Sequence, residues 1–244
     1  MKSFIVVLPA RIGSKRLHAK PLIKIAGLPM IIRTYFQCLK AVNKKLVYVA
    51  TDSVKIKKVC DFYGAQCLLT SKKCLTGTDR VAEVSKKIRA KFYINVQGDE
   101  PFFNPSDIKK LIKYAKKNPK SIINGYTKIT DKKLFYSQSI PKVVFDKNQN
   151  LIYMSRAPIP SNKKKNFKLG WRQICAYSFP ITALKIFYSF KKKPPIESIE
   201  DIEILRFLEN GIKVKMIEMS NKSIAIDSKD DLDKAKIYLK TIKN

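Results

Sequence analysis

The chain has 244 residues, 45% of them hydrophobic, and a formal net charge of +31 at pH 7. This length and apolar content are enough for one α/β domain spanning residues 1–244, and no apolar run is long enough to cross a membrane, so we expect a cytoplasmic protein without membrane insertion. The single histidine and five cysteines without a C-x-x-C pair argue against a zinc site and a histidine-based triad.

Short β-branched runs alternate with helical patterns along the chain, which predicts βαβ units and a mostly parallel sheet. The predicted strands are 3–9, 46–51, 65–68, 92–97, 121–127 and 213–218. The predicted helices are 29–41, 54–63, 79–89, 105–117, 182–189, 198–210 and 228–241. Residues 140–180 interrupt the alternation with further strands at 143–145, 151–153 and 172–179, which predicts a small appended layer or dimerisation element.

The segment after the first predicted strand, residues 8–22 (LPARIGSKRLHAKPL), has the composition of a polyphosphate-binding loop. Backbone amides at Gly13 and Ser14 could point at phosphate oxygens, while Arg11, Arg16 and Lys20 neutralise them. The segment does not match a Walker A loop, and a solvated basic loop is the alternative.

Two further motifs follow predicted strands. Residues 76–83 (TGTDRVAE) offer amides and hydroxyls that can recognise a base edge, although a helix N-cap at Thr76 explains the same pattern. Residues 95–101 (NVQGDEP) place Asp99 at the end of a buried strand, where its carboxylate could hold Mg²⁺ on a nucleotide's phosphates. A simple Gly-Asp turn is the alternative for that segment.

A fourth motif, residues 225–232 (AIDSKDDL), follows an apolar run near the end of the sequence. Asp227 in this motif is either a second metal ligand or the N-cap of the predicted helix 228–241, and the pattern alone does not separate these roles.

Taken in order, L-P-A-R-x-G-S-x-R-L-x-x-K-P-L, T-G-T-D-R-x-A-E, V-Q-G-D-E-P, Y-M-S-R-A-P-I-P and I-D-S-x-D-D-L resemble the 3-deoxy-manno-octulosonate (Kdo) cytidylyltransferases. The resemblance extends from residue 3 to about residue 240, and its first motif is shared with sialic-acid-type enzymes. It implies an α/β nucleotide-diphospho-sugar transferase fold, Rossmann-like with a mostly parallel mixed sheet and a small appended β element for dimerisation. It also implies a homodimer, CTP and Mg²⁺ as requirements, and a role in lipopolysaccharide synthesis.

The resemblance also implies roles for individual residues, with Asp99, Lys20 and Arg11 carrying catalysis. The triphosphate loop corresponds to Ala10, Arg11, Ser14 and Lys20, and the cytidine segment to Thr76, Gly77 and Arg80. Gln97 would lie beside both ligands, and Asp99 and Asp227 would be the metal-binding aspartates. The positions associated with the sugar acid are Arg156, Gln173, Tyr177, Glu197 and Glu200.

Three positions depart from the family pattern. His18 stands where proline is usual, and Cys74 and Gln173 each stand where histidine is usual. Glutamine donates and accepts hydrogen bonds but carries no charge, so the preferred acceptor could be Kdo or another 2-keto sugar acid, such as an amino-Kdo or a sialic- or legionaminic-type acid. A catalytically silent relative is disfavoured because Asp99 and Asp227 are both present.

The positive charge suggests nucleic-acid binding as a second function class. Lysine supplies 42 of the 50 basic residues and is spread along the whole chain, without an RNP motif, a zinc finger or a basic arm. We therefore expect no specific nucleic-acid partner, only an attraction for anionic substrates. Six of the eight arginines fall in family-like segments, where a planar fork suits phosphate or carboxylate: Arg11, Arg16, Arg80, Arg156, Arg172 and Arg206.

Overall fold

A mixed nine-stranded sheet forms the centre of the fold. The computed structural model describes residues 1–13, 17–221, 223, 226, 230–235 and 237. The strands are β1 (Lys2–Ala10), β2 (Lys24–Ile25), β3 (Leu28–Pro29), β4 (Val47–Thr51), β5 (Cys67–Leu69), β6 (Ala90–Val96), β7 (Ile122–Lys128), β8 (Lys142–Phe145), β9 (Leu151–Ser155), β10 (Trp171–Pro180) and β11 (Val214–Glu218). The main sheet has the order β11-β7-β10-β6-β1-β4-β5, with β8 and β9 attached at β10.

Helices cover both faces of this sheet. They are α1 (Met30–Leu39), α2 (Val54–Phe62), α3 (Gly77–Lys87), α4 (Pro105–Lys117), α5 (Lys132–Tyr136), α6 (Ile181–Ser189), α7 (Pro195–Glu200) and α8 (Leu205–Leu208). The helices α1, α2 and α4 pack on one face, and α3 and α6 pack on the other. Among the described residues, no helix has both the length and the apolar character needed to cross a membrane.

The strand β1 is buried on both faces of the sheet because helices cover both sides. Ile5, Val6, Val7 and Leu8 are fully buried, which explains why this strand is continuously apolar and does not alternate. It pairs in parallel with β4 on one side and β6 on the other. The carboxyl ends of these three strands therefore meet at one edge of the sheet, where ligands bind in open α/β folds.

The predicted parallel α/β architecture is confirmed, and two predicted features are wrong. The segment predicted as part of an appended layer, β10, lies in the centre of the main sheet, antiparallel to β6 and β7. Within residues 140–180, the hairpin of β8 and β9 is the appended part. The predicted helix 198–210 is broken, because Asp201 adopts a left-handed conformation (φ 50°) between α7 and α8. Residues 230–235 are helical, and the rest of the predicted helix 228–241 lies largely outside the described residues.

Candidate active site

A cleft of about 620 Å³ lies at the edge of the sheet where β1 and β6 end. This volume is in the range of sites that bind small molecules and cofactors. The sequence-predicted residues that line it are Ala10, Arg11, Lys20, Thr76, Gly77, Arg80, Gln97, Asp99, Arg156, Gln173 and Tyr177. Motifs from distant parts of the chain therefore meet in one place. Ser14, Arg16 and Asp227 lie outside the described residues.

Two glycines allow the backbone segments to approach each other at the base of the cleft. A side chain at Gly98 would place its Cβ 2.7 Å from the carbonyl oxygen of Pro9. A Cβ at Gly77 would lie 3.1 Å from the Gln97 amide group and 3.2 Å from the Pro9 ring. Only glycine fits at position 98, where the clash is with backbone, whereas a side chain at position 77 would require Gln97 or Pro9 to shift.

The N-terminus of α3 is closed by a capping box that also forms part of the cleft wall. The Thr76 hydroxyl accepts a hydrogen bond from the Asp79 backbone N–H, and the Asp79 carboxylate accepts one from the Thr76 backbone N–H at 2.7 Å. Both interpretations of this motif are thus compatible, because the capping residue itself lines the cleft. The helix dipole adds a partial positive charge here that favours an anionic ligand.

Arg80 is 3% exposed and held rigidly beside the cleft. Its guanidinium donates to Asp52 at 2.8 Å and to the Thr70 hydroxyl at 2.7 Å. The other oxygen of Asp52 accepts the backbone N–H of Ile12, at 3.2 Å. Asp52 therefore ties the predicted cytidine segment to the predicted phosphate loop. Sequence reasoning missed this residue, although it directly follows the apolar strand β4.

Lys20 and Asp99 form an ion pair in the cleft. The distance from Lys20 Nζ to Asp99 Oδ2 is 2.6 Å, and the two side chains are 9% and 36% exposed. The backbone carbonyl of Asp99 accepts a hydrogen bond from the backbone N–H of Ile226 at 3.1 Å. This contact brings the fourth sequence motif to the carboxylate at the end of β6.

Glu203 is a cleft residue that sequence reasoning missed. Its carboxylate accepts from the Gln97 side-chain amide at 3.1 Å and from the Thr78 backbone N–H at 3.0 Å. Desolvation by its surroundings raises the pKa of Glu203. The carboxylate fixes the Gln97 amide and the first turn of α3 relative to each other. The sequence feature that could have identified Glu203 is the acidic residue within an otherwise apolar helical pattern (IEILRF).

The strand β10 contributes an uncharged wall. Gln173, Cys175 and Tyr177 alternate along it and all line the cleft. The Gln173 amide donates to Asn124 Oδ1 and to the Tyr177 hydroxyl, both at 3.0 Å. Burial raises the pKa of Tyr177 well above its ordinary value, so the phenol is neutral. This wall can exchange hydrogen bonds with sugar hydroxyls but offers them no charge.

Arg156 contributes a positive charge to the cleft. Its guanidinium donates to the backbone carbonyls of Glu200 at 2.6 Å, Gln138 at 3.0 Å, Asp201 at 3.1 Å and Ser139 at 3.4 Å. Among the described side chains, no carboxylate lies within salt-bridge distance of it. These contacts leave one N–H of Nη2 for an anionic ligand.

Glu197 and Glu200 lie behind the cleft wall and do not line it. Glu197 is fully buried and binds the Arg206 guanidinium at 2.6 and 2.7 Å. The Glu200 carboxylate accepts from the Ser155 hydroxyl at 2.5 Å and from the Arg156 backbone N–H at 2.8 Å. Neither is placed to touch a ligand in the cleft, because neighbouring protein groups occupy their oxygens. The structure therefore does not bring these two predicted sugar-binding residues to the cleft.

The donor set partly fits a hard divalent cation. Asp99 presents a carboxylate that is about one-third exposed in the cleft, and Mg²⁺ is commonly held by one or two carboxylates together with substrate phosphates. The parts of the chain that the structure describes contain no cluster of three or more potential metal ligands. A protein-only metal cage is therefore not formed by these residues, whereas a site completed by a nucleotide is compatible with them.

Comparisons with known proteins agree with this geometry. A family profile described as Cytidylyltransferase matches residues 5–219. The 3-deoxy-manno-octulosonate cytidylyltransferase of Thermodesulfovibrio yellowstonii is 36% identical, with 97% of this chain and 98% of the relative covered. The enzyme of the same name from Chloroherpeton thalassium is also 36% identical, with 96% and 97% covered.

Solved structures extend this likeness to three dimensions. The structure of a CMP:2-keto-3-deoxy-manno-octonic acid synthetase complexed with CTP is 29% identical, has a TM-score of 0.90 and covers 99% of this chain and 100% of that one. A cytidylyltransferase from Leptospira borgpetersenii, at 13% identity and a TM-score of 0.65, shares the fold; 99% of this chain and 88% of that one are covered.

Proposed function

Because the chain belongs to the cytidylyltransferase family, we propose that it transfers CMP from CTP to the anomeric hydroxyl of Kdo and releases pyrophosphate. It is a nucleotidyltransferase, and the CTP-complexed relative shares its fold over the whole chain. The observation that carries the proposal is the convergence of four of the five family-like motifs on one cleft. They provide cations for the phosphates, the first turn of α3 as a wall for the base, and an arginine for the carboxylate.

The reaction is an in-line displacement without a covalent enzyme intermediate. The anomeric oxygen of the sugar acid forms a bond to the α-phosphorus of CTP, and the bond from that phosphorus to the bridging oxygen of pyrophosphate breaks. The hydroxyl proton is released to solvent. Catalysis then depends on holding the two reactants in line and stabilising the charge that develops on the leaving group.

Arg11 and Lys20 are the residues that neutralise the triphosphate. Arg11 is exposed in the cleft, and Lys20 is largely buried beside Asp99. Thr76, Gly77 and Arg80 flank the N-terminus of α3, where the cytidine binds. These groups lie on different elements, so the triphosphate spans the edge of the sheet between β1 and β6.

Asp99, together with Asp227, would hold Mg²⁺ on the nucleotide. When bound, the ion would neutralise phosphate charge and acidify the sugar hydroxyl, which removes the need for a histidine base. Lys20 keeps the Asp99 carboxylate oriented toward the cleft before the nucleotide arrives. The backbone contact between Ile226 and Asp99 supports including Asp227, the next residue in sequence, although Asp227 lies outside the described residues.

The sugar acid is bound between Arg156 and the wall formed by β10. Arg156 receives the carboxylate of the sugar, and Gln173 and Tyr177 bind its hydroxyls. Another 2-keto sugar acid, such as an amino-Kdo or a sialic- or legionaminic-type acid, is the alternative acceptor. The uncharged Gln173 is the feature that motivates testing these acids.

A homodimer is part of the proposal, with the hairpin of β8 and β9 as its contact. Ile152 on this hairpin is 62% exposed, and Leu169 in the loop after it is 41% exposed. An exposed apolar side chain on an appended hairpin is compatible with a subunit contact at this element. Light scattering of the wild type and an Ile152→Lys variant tests this. The wild type should have the molar mass of a dimer and the variant that of a monomer. Equal molar masses for the two proteins would contradict the proposed contact.

The proposed function is tested by incubating the protein with CTP, Mg²⁺ and each sugar acid of a panel. A CMP-linked product with Kdo and an equal amount of pyrophosphate is the expected result. A product with only another 2-keto acid would reassign the acceptor, and no product with any acid would contradict the proposal. Roles in lipopolysaccharide synthesis and a cytoplasmic location remain predictions from the sequence.

A further inference from the structure

Lys142 is a completely buried lysine at the start of β8. Its ammonium donates to the backbone carbonyls of Arg156 at 2.5 Å, Ile140 at 2.7 Å and Ser137 at 2.8 Å. No carboxylate lies within salt-bridge distance of it among the described residues. Burying a charge without a counter-ion is costly, so the three carbonyl contacts are the interactions that offset this cost.

Two cations together bind four successive carbonyls. Lys142 binds those of Ser137 and Ile140, and the Arg156 guanidinium binds those of Gln138 and Ser139 between them. The segment 137–140 is therefore folded around two positive charges. Because Lys142 also binds the carbonyl of Arg156, the arginine is linked to Lys142 through its own backbone as well as through this segment.

This arrangement reaches the cleft directly. Ser139, Pro141 and Arg156 all line it, whereas Lys142 does not. On its other side the guanidinium is bound by the carbonyls of Glu200 and Asp201. The position of the Arg156 charge is thus defined by two backbone segments, and Lys142 holds one of them.

We propose that Lys142 is a positioning residue for Arg156, which fixes the guanidinium where it receives the carboxylate of the acceptor sugar acid. This inference rests on the proposed function of Arg156. Lys142 acts through the backbone of segment 137–140 and through the Arg156 carbonyl, and touches neither substrate.

Replacing Lys142 with methionine keeps the aliphatic stem and removes all three donors. The carbonyls of Ser137, Ile140 and Arg156 then lose their partner inside the protein, and the segment must move to find another. A displacement of about 1 Å at a binding group can lower the rate by about 10²-fold. The loss should fall on the sugar acid, because no contact of Lys142 reaches the residues assigned to CTP.

The test compares steady-state kinetics of the wild type, Lys142→Met, Lys142→Gln and Lys215→Met. Lys215 is the matched control, because its ammonium also binds a carbonyl, that of Asn148 at 2.6 Å, and it does not line the cleft. We expect Lys142→Met to lower kcat/KM for the sugar acid by about 10- to 100-fold, mainly through KM. The KM for CTP should stay within about twofold of the wild-type value in all variants. Lys215→Met should have wild-type kinetic constants for both substrates.

A second measurement separates positioning from a general structural role. In an Arg156→Ala background, Lys142→Met should have little further effect on the sugar acid, because the group that it positions is gone. Equal losses for both substrates, or a full additional loss in that background, would overturn the inference. Should the methionine variant fail to fold, Lys142→Gln keeps two N–H donors and must show a smaller, still selective, loss. An inactive wild type would instead overturn the proposed function.

Discussion

Lys20 and Asp99 are 79 residues apart in the sequence, and their side chains meet at 2.6 Å in the cleft. The lysine is nearly buried and the carboxylate is about one-third exposed, so the pair presents its acidic partner to the ligand. The lysine side chain comes from the loop after β1 and the aspartate from the turn after β6, two neighbouring parallel strands. Sheet pairing therefore brings together the residue assigned to phosphate and the residue assigned to the metal.

The first prediction concerns Lys20. We expect Lys20→Ala to lower kcat by about 10²- to 10³-fold, because one contact to the developing charge of pyrophosphate is lost. Pyrophosphate release under saturating substrates measures this effect. Lys57→Ala, which removes an exposed ion pair on α2, is the control and should leave kcat unchanged. Unchanged turnover in Lys20→Ala would exclude its assigned role.

The second prediction concerns Glu197, which the structure places behind the cleft. Glu197→Gln should lower the free energy of unfolding by about 1–3 kcal/mol, since the buried Arg206 loses the charge of Glu197 but keeps the Asp79 carboxylate at 3.1 Å. Denaturant unfolding measures the loss, and the exposed Asp61→Asn variant should lose less than about 1 kcal/mol. The KM for the sugar acid should not change in Glu197→Gln. A raised KM with normal stability would restore the direct sugar contact predicted from the sequence.

The third prediction concerns Gln173. Gln173→Ala leaves Asn124 Oδ1 and the Tyr177 hydroxyl without this partner and removes a hydrogen-bonding group from the cleft wall. The loss of one hydrogen bond to the ligand, about 0.5–1.5 kcal/mol, predicts a rise of about 2- to 10-fold in the KM for the sugar acid. The KM for CTP should be unaffected. A rise confined to CTP would show that β10 contacts the nucleotide instead.

The fourth prediction is a pH dependence of stability. Burial, together with the charge of Arg156, lowers the pKa of Lys142 to about 8, while Glu200 acts in the opposite direction. Arg172 lies opposite Lys142 on β10 and adds a further positive charge. Above about pH 8 the folded protein binds fewer protons at this site than the unfolded chain, so the site's contribution to the free energy of unfolding rises with pH.

Thermal melting tests this sign against the Lys142→Met variant. The Tm of the wild type minus that of the variant should increase between about pH 7 and about pH 9.5. Over this range the buried Lys142 ammonium loses its proton, so the folded state no longer bears the cost of burying its charge. The comparison cancels the titration of the many surface lysines, which both proteins share. A difference that falls over this range would contradict the assignment.

Most of the architecture could be predicted from the sequence, because the hydrophobic periodicity and the turn residues indicate where strands and helices begin and end. The strand predicted at 92–97 is observed as Ala90–Val96, and the helix predicted at 105–117 as Pro105–Lys117. The central place of β10 was missed because its partners β6 and β7 are far away in sequence, and a local pattern does not reveal pairing. The break at Asp201 was missed because no glycine or proline marks it.

The candidate site was partly predictable for the same reason. Arg11 and Asp99 were predicted from their place in segments that follow strands and from the family resemblance, and the structure brings both to the cleft. Glu197 was expected to touch the sugar acid, but the buried Arg206 that holds it was recognisable only in the folded chain. Glu203 and Lys142 were missed since their roles depend on which backbone groups surround them.

The central claim is that Asp99 holds the divalent ion that CMP transfer requires. Its most direct test is pyrophosphate release by Asp99→Asn with CTP, Mg²⁺ and Kdo, alongside the wild type and with melting curves of both. The account predicts that the variant melts like a folded protein and that its turnover falls by more than about 10³-fold, since a charge essential to the transition state is gone. A folded Asp99→Asn variant with near-normal turnover would contradict it.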